Sequence, residues 1–256
     1  MKYEEVLKKV LEKIVPSKEE EKELKKVIGE IEEKIKERKL EEAEVMLVGS
    51  VAKGTYLKNA LDIDFFILFP QKYKKEGMAK IVINIGKEIL QEWEVQYAEH
   101  PYIRGKYKGY EIDIVPCYKI KDASQKMSAV DRTPFHTEYI KKNLKEEMKN
   151  EVRLLKQFLK GIGCYGAEAK IEGFSGYLTE LLILKYGNFL NVLKESQNWK
   201  GKTILSLNGG EREFEEEFVF IDPVDPSRNV AAALSKEKLE FFKLASKEFL
   251  KNPKIE

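Results

Sequence analysis

Two aspartates, Asp62 and Asp64, alternate with apolar residues in the stretch LDIDFFILF. Successive side chains of a β-strand point to opposite faces, so this spacing predicts that both carboxylates lie on the same face of one strand. Like charges side by side weaken a strand. The pattern therefore indicates a compensating cation, and a divalent metal ion is the obvious candidate.

A third carboxylate, Asp113, stands between two isoleucines in the stretch YEIDIVPCY and is also predicted to project from one face of an apolar strand. Mg²⁺ prefers carboxylate oxygens and keeps coordination sites open for substrate phosphates. Two such ions can activate an attacking hydroxyl and stabilise a leaving pyrophosphate. Glu111 shares a face with Asp113 and is the alternative third ligand.

A Gly-Ser turn, Gly49–Ser50, precedes a short helix predicted over 50–58 and lies shortly before the strand of Asp62. Backbone amides at the start of a helix attract phosphate groups. A lone D-x-D and a lone Gly-Ser are both ordinary, and a D-x-D is usually a solvated strand face. Together with Asp113 they predict a site for a nucleoside triphosphate and two Mg²⁺ ions.

The elements that must position these residues follow from hydrophobic periodicity and turn signals. A capping box at Ser17–Glu20 starts a helix predicted over 18–38. The spacing then predicts strands over 43–49 and 61–69, a helix over 77–91, and two strands within 95–120 that meet at the turn GKYKG. Helices over 138–160 and 174–197, a hairpin from 201–207 and 216–223, and a helix over 236–250 complete the prediction.

This order predicts an α+β fold, with a small mixed β-sheet head over 1–139 followed by a mainly helical domain over 140–256. Of the 256 residues, 43% are hydrophobic and 35% charged, and the net charge of +2 neither requires nor excludes a nucleic acid. No apolar run approaches the roughly 20 residues of a membrane span. The two cysteines form no disulfide or metal pattern, which favours a cytoplasmic protein that does not contact membranes.

The sequence resembles the archaeal (class I) CCA-adding enzymes, which are tRNA nucleotidyltransferases of the DNA polymerase β-like superfamily. The resemblance covers nearly the whole chain. It is carried by the stretches LVGSVAKGTYLKNALDIDFFILFP, YAEHPYIRGKYKGYEIDIVPCYKI, SAVDRTPFH, NEVRLLKQFLKGIGCYGAE, GFSGYLTELLI and DPVDPSRNVAAALS. It implies the addition of C, C and A to tRNA 3′ ends from CTP and ATP, with release of pyrophosphate.

By this resemblance Asp62, Asp64 and Asp113 are the metal ligands, and Asp113 also assists deprotonation of the tRNA 3′ hydroxyl. Glutamate is also familiar in the family at the position of Asp62. The resemblance further implies a set of nucleotide-binding residues, among which Lys53 replaces the family's usual arginine and Arg228 reads the incoming base. These residues are Gly49, Ser50, Lys53, His136, Lys156, Tyr165 and Arg228.

Each of the later residues also has a simpler interpretation. Lys156 lies in a basic helical stretch that could be a solvated face. His136 could be a surface histidine in a turn, Tyr165 could pack under a glycine loop, and Arg228 could pair with Asp222 or Asp225.

The family normally continues into body and tail domains that grip tRNA, and the resemblance indicates that these are absent here. The chain could be a fragment, a short homologue or one part of a split enzyme with a second subunit. Two other functions stay open. One is nucleotidyl transfer to another acceptor, such as a small RNA or a protein, and the other is nucleotide or RNA binding without catalysis.

Overall fold

The structure is a computed structural model that describes residues 2–58, 60–209 and 212–254. It divides into two compact units. One is Pro16–Lys141, and the other contains the described residues of Met1–Val15 and Lys142–Glu256. The first helix thus belongs to the helical unit, whereas the sequence-based division placed it in the head. Within the described residues, no helix is both long enough and apolar enough to cross a bilayer.

The fold class predicted from the sequence is confirmed, because a mixed sheet is followed by a mainly helical region. The strands are β1 (Glu44–Val48), β2 (Asp62–Phe69), β3 (Gln91–Tyr97), β4 (Pro101–Tyr107), β5 (Tyr110–Tyr118), β6 (Thr203–Leu205) and β7 (Phe218–Phe220). The α-helices are α1 (Lys2–Ile14), α2 (Lys18–Lys36), α3 (Gly49–Lys53), α4 (Lys75–Ile89), α5 (Thr133–Asn143), α6 (Met148–Gly161), α7 (Gly176–Tyr186), α8 (Phe189–Ser196) and α9 (Lys236–Lys251).

The five-stranded sheet has the order β1-β2-β5-β4-β3, in which β2 and β5 are parallel and the other neighbours are antiparallel. Alternate residues of β2 divide between its two faces. Ile63, Phe65, Ile67 and Phe69 are buried in the core formed with α2 and α4. The aspartates, together with Phe66, belong to the opposite face, where a smaller apolar cluster includes Val115.

Local sequence explains where several elements begin and end. The predicted capping box starts α2, since the Ser17 amide donates to Glu20 Oε2 at 2.7 Å and the Glu20 amide donates to Ser17 Oγ at 3.2 Å. Helix α3 is shorter than predicted because Gly54 adopts a left-handed conformation directly after Lys53.

Three predictions of secondary structure are wrong in detail. The helices predicted over 138–160 and 174–197 are each two helices. In the second case, Gly187 ends α7 with φ +88° and the Asn188 side chain caps α8. The stretch 95–120 contains residues of three strands rather than two. The additional strand is β3, which extends to Tyr97 and pairs with β4.

The predicted hairpin of 201–207 and 216–223 is also wrong, because β6 and β7 pair in parallel. A hairpin would require antiparallel strands. The Asn229 side chain holds β7, accepting from the Phe220 amide at 3.0 Å and donating to the Phe218 carbonyl at 3.1 Å.

Aromatic rings form the core of the helical unit. Phe242 of α9 is fully buried and contacts Phe158, Phe174 and Trp199, with ring centroids 4.8–6.1 Å apart. The apolar run of α7 is buried as well. Helix α1 joins this unit through α6 and through Tyr3, whose ring lies 6.3 Å from that of Phe249.

The neighbours Phe241 and Phe242 provide a matched test of this core. Phe242 is 0% exposed and Phe241 is 47% exposed on the same helix. We expect Phe242→Ala to lower the free energy of unfolding by about 3–5 kcal/mol, because it removes a buried ring and leaves a cavity. Phe241→Ala should change it by less than about 0.5 kcal/mol. Urea denaturation followed by circular dichroism measures both, and equal losses would contradict the packing of α9.

Candidate active site

One row of residues across the sheet contains two of the three candidate carboxylates. In the parallel pair, Asp64 of β2 is the Cα partner of Asp113 of β5. On either side of them, Val48 of β1 pairs with Asp64 and Arg104 of β4 pairs with Asp113. The parallel register therefore places two carboxylates next to each other on one face.

The adjacent row places Asp62 beside Glu111, which is the alternative third ligand. Asp62 is exposed and Glu111 is half-buried. Lys106 of β4 pairs with Glu111 in the same row, but its ammonium contacts Glu92. Both carboxylates of this row are thus close to the first row, and the register by itself does not choose between them.

Asp113 is held by Arg104 in a two-pronged contact. Arg104 Nε donates to Asp113 Oδ1 at 2.7 Å, and Arg104 Nη2 donates to Oδ2 at 2.6 Å. The Asp113 side chain is 9% exposed and that of Arg104 is 37% exposed. Hydrogen bonding to Asp113 holds the pKa of the Arg104 guanidinium above its usual range. The sequence analysis missed Arg104, although it lies opposite Asp113 across the predicted GKYKG turn.

Asp64 lies where its ionised form is disfavoured. Desolvation, followed by the charges of Asp113 and Asp62, raises the pKa of Asp64 to about 7, while Lys53 and Arg104 oppose the increase. All three carboxylates are therefore close enough to interact electrostatically. A cation between them would remove this penalty, because an adjacent positive charge favours the ionised carboxylate.

The donor chemistry of this cluster fits a hard divalent cation, since it supplies carboxylate oxygens on neighbouring strands. Within residues 2–58, 60–209 and 212–254, however, no group of three or more His, Cys, Asp or Glu side chains is arranged as a ligand set. Both oxygens of Asp113 accept hydrogen bonds from Arg104 instead. The residue types thus fit the ion, although their side chains do not form a ligand set.

The Gly-Ser turn lies directly against Asp64. Gly49 has φ +72°, and a Cβ atom placed on it would be 2.0 Å from Asp64 Oδ2. No other residue type fits this position without displacing that carboxylate. Ser50 and Lys53 follow on α3, and the ammonium of Lys53 is near enough to lower the pKa of Asp64. The structure thus brings Gly49 and Lys53 to the carboxylates.

His136 lies on α5 and is half-buried, so it is not a histidine of a surface turn. The segment before α5 is fastened by Asp131, a fully buried carboxylate that the sequence analysis missed. Asp131 accepts from the backbone amides of Tyr118 at 2.9 Å, Met127 at 2.9 Å and Ser128 at 2.7 Å. It therefore ties the start of α5 to the end of β5, the strand that carries Asp113.

Lys156, Tyr165 and Arg228 belong to the helical unit. Lys156 of α6 is buried, with its Nζ 3.8 Å from Oε1 of the buried Glu180 on α7. The alternative of a solvated helix face is therefore wrong for Lys156. Tyr165 is half-buried after α6, where the ammonium of Lys160 lies 5.8 Å from its ring centroid. A Cβ atom on Gly176 would lie 3.0 Å from the Tyr165 hydroxyl, so the ring packs against the start of α7.

Arg228 pairs with Asp222, as the simpler interpretation of the sequence expected. Arg228 Nη1 donates to Asp222 Oδ2 at 3.0 Å, and the Arg228 side chain stays 32% exposed. Asp222 is fully buried and also accepts from the Tyr177 hydroxyl at 3.2 Å and from the Val224 amide at 3.0 Å. This network fixes the direction of the guanidinium without covering it.

Comparison with known proteins identifies two domains. Residues 24–136 match the nucleotidyltransferase domain, and residues 150–256 match the second domain of tRNA nucleotidyltransferases. A CCA-adding enzyme of Archaeoglobus fulgidus is 47% identical over 100% of this chain and 57% of its own length. One from Methanocaldococcus jannaschii is 46% identical over 99% of this chain and 61% of its own length.

The chain thus spans 57–61% of the length of these two relatives. Its structure is similar to that of the Cid1 poly(U) polymerase, with a TM-score of 0.76 and 14% identity over 98% of this chain and 95% of that chain. At this level of identity, the similarity shows a shared fold.

The contact between Gly49 and Asp64 generates a prediction with a matched control. Gly49 and Gly109 both have positive φ values, of +72° and +84°, but a Cβ on Gly109 meets nothing within 4 Å. We expect Gly49→Ala and Gly109→Ala each to lose about 1–2 kcal/mol of stability from left-handed strain. Only Gly49→Ala should also displace Asp64 and weaken Mn²⁺ binding, by about tenfold or more, as measured by electron paramagnetic resonance. Equal Mn²⁺ affinity in the two variants would show that Asp64 does not need the space.

Proposed function

Because the chain belongs to the family of the archaeal CCA-adding enzymes, we propose that it is a metal-dependent nucleotidyltransferase. It adds CMP and AMP from CTP and ATP to the 3′ end of tRNA and releases pyrophosphate. The observation that carries this proposal is the row of Asp64 and Asp113 on the parallel strands β2 and β5, with Asp62 and the Gly49–Ser50 turn beside it.

In the reaction, the 3′-hydroxyl oxygen of the acceptor forms a bond to the α-phosphorus, and the bond from the α-phosphorus to the bridging oxygen breaks. Asp62, Asp64 and Asp113 would hold two Mg²⁺ ions, and these ions would supply charge stabilisation for the attacking and leaving oxygens. Asp113 accepts the proton of the hydroxyl. A strand fixes the position of this carboxylate more precisely than a loop would.

The resemblance assigns nucleotide-binding residues to each of the two domains. Gly49, Ser50 and Lys53 bind the triphosphate beside the carboxylates, and His136 is carried on the helix that Asp131 fastens. Lys156 and Tyr165 contribute from the helical unit. Lys156 is buried beside the carboxylate of Glu180, so its charge is partly balanced, and its assignment to the nucleotide rests on the resemblance.

Arg228 is proposed to read the base. Cytosine and adenine both present a ring-nitrogen acceptor beside an exocyclic amine donor, whereas uracil and guanine invert part of that pattern. A guanidinium can donate to the shared acceptor, and backbone carbonyls can accept from the amines. The pairing with Asp222 supports this role, since it fixes the guanidinium plane and leaves part of it accessible.

We assign the transfer chemistry and the choice of base to the part of the relatives that aligns with this chain. We assign the grip on the body of the tRNA to regions of those relatives outside the aligned share, provided either by the same polypeptide or by a second subunit.

The decisive experiment supplies labelled CTP or ATP, Mg²⁺ and a set of acceptors: tRNA lacking CCA, tRNA ending in CC, a small unrelated RNA and the protein itself. Label on the two tRNAs supports CCA addition. Label on another acceptor would show a different nucleotidyltransferase, and nucleotide binding without any transfer would show a binding module.

The assignment of metal ligands predicts different effects of substitutions at Asp113 and at Glu111. We expect Asp64→Asn or Asp113→Asn to lower the transfer rate by at least about a thousandfold, because each removes an anionic metal ligand. Glu111→Gln should lower it by less than about tenfold. Transfer rates at saturating Mg²⁺ and CTP measure this. A loss in Glu111→Gln as large as that in Asp113→Asn would make Glu111 a ligand.

Base selection gives a second prediction. Arg228→Ala should reduce the preference for CTP and ATP over UTP and GTP by about tenfold or more, since mispaired polar groups in a desolvated pocket cost about 1–3 kcal/mol each. Arg228→Lys keeps the charge but loses the planar fork, and should lose preference as well. The ratio of kcat/KM values for the four nucleotides measures this. Wild-type preference in both variants would identify Arg228 as a structural partner of Asp222.

A further inference from the structure

The contact between Arg104 and Asp113 has a consequence for the metal site. We propose that Arg104 is a positioning residue that occupies the metal-binding oxygens of Asp113 until a divalent cation replaces it. The guanidinium and the metal ion compete for the same two atoms, so metal binding is an exchange of one cation for another. This inference rests on the metal site of the proposed function and adds a residue that neither the sequence motifs nor the resemblance assigned.

The geometry supports competition rather than coexistence. Both oxygens of Asp113 accept from Arg104, at 2.7 Å and 2.6 Å, in the parallel fork that is the strongest form of this contact. A metal ion needs a lone pair that points toward Asp64, the partner of Asp113 across the strand pair. We expect the carboxylate to release at least one donor of the fork when it turns toward the ion.

Charge and burial explain why the contact exists. The Asp113 side chain is 9% exposed, and it lies beside a second carboxylate. An unpaired buried charge is strongly destabilising. Arg104 supplies the compensating charge from β4, and its 37% exposure leaves the guanidinium a route to water when it is displaced.

If Arg104 competes with the metal ion, its removal should change the metal affinity in an unusual direction. Removal of a residue that merely supports the site should weaken metal binding or leave it unchanged. Removal of Arg104 should strengthen metal binding, because Asp113 no longer has to give up a partner. It should also destabilise the metal-free protein, because the buried Asp113 carboxyl group then loses its hydrogen-bonding partner.

The control for loss of a positive charge lies on the same strand. Lys106 is two residues from Arg104 on β4 and has a similar side-chain exposure of 43%. Its ammonium contacts Glu92 rather than Asp113. Lys106→Met and Arg104→Met therefore remove the same charge from the same face of the strand. Only Arg104→Met frees Asp113.

The test measures Mn²⁺ binding to the full chain by electron paramagnetic resonance, without nucleotide or tRNA, together with thermal unfolding with and without Mg²⁺. We expect Arg104→Met to bind Mn²⁺ about tenfold more tightly than wild type, and Lys106→Met to bind it as wild type does. The metal-free midpoint of unfolding should fall in Arg104→Met, and Mg²⁺ should raise it by more than in wild type, since a ligand stabilises the state that it binds.

Unchanged or weaker Mn²⁺ affinity in Arg104→Met would overturn the proposal. If Arg104→Met does not fold, Arg104→Lys serves instead, because a point charge without the fork should still release Asp113 more readily than arginine. Asp113→Asn should abolish the difference between the arginine variants and wild type. Because no nucleotide is present, a protein that exchanges Arg104 for metal but transfers no nucleotide would leave this inference standing while the proposed function fails.

Discussion

The parallel register of β2 and β5 is the constraint on which the rest of the site depends. Because Asp64 and Asp113 are Cα partners, their carboxylates face the same side of the sheet at the distance of neighbouring strands. A shift of one residue would turn one of them into the apolar core, where α2 and α4 pack. The buried isoleucines and phenylalanines on the opposite face of these strands therefore help to fix the carboxylate geometry, since a shift by one residue would expose them.

Neighbouring elements then accommodate the two adjacent carboxylates that this register creates. Desolvation and like charge raise the pKa of Asp64 to about 7, so the pair is unfavourable without cations. Gly49 gives Asp64 the space that a side chain would take, and Arg104 neutralises Asp113 from the next strand. The turn after β1 and the strand β4 are thus parts of the site even though neither supplies a carboxylate.

Much of this arrangement could be predicted from the sequence, because it depends on period and turn chemistry. The alternation around Asp62 and Asp64 determines their common face, and the capping box determines the start of α2. Even Arg104 could have been found, since the turn at Lys108–Gly109 pairs Tyr107 with Tyr110 and therefore Arg104 with Asp113. The parallel pairing of β6 and β7 could not, because strands of three residues carry no alternation that distinguishes a hairpin from a crossover. Nor could the burial of Lys156, because its partner Glu180 lies on another helix.

Three cations of the chain share one arrangement, in which each is paired with a more deeply buried carboxylate. Arg104 pairs with Asp113, Arg228 with Asp222, and Lys156 with Glu180. Such a pair lowers the attraction of the cation for a substrate anion, because part of its charge is already balanced. In return it holds the donor groups in one orientation, which matters more where a base or a phosphate must be distinguished by geometry. Under the proposed function, such pairs would therefore favour selectivity over affinity. The pair at Asp113 differs from the other two, because there the carboxylate, and not the cation, is the group that the proposed chemistry requires.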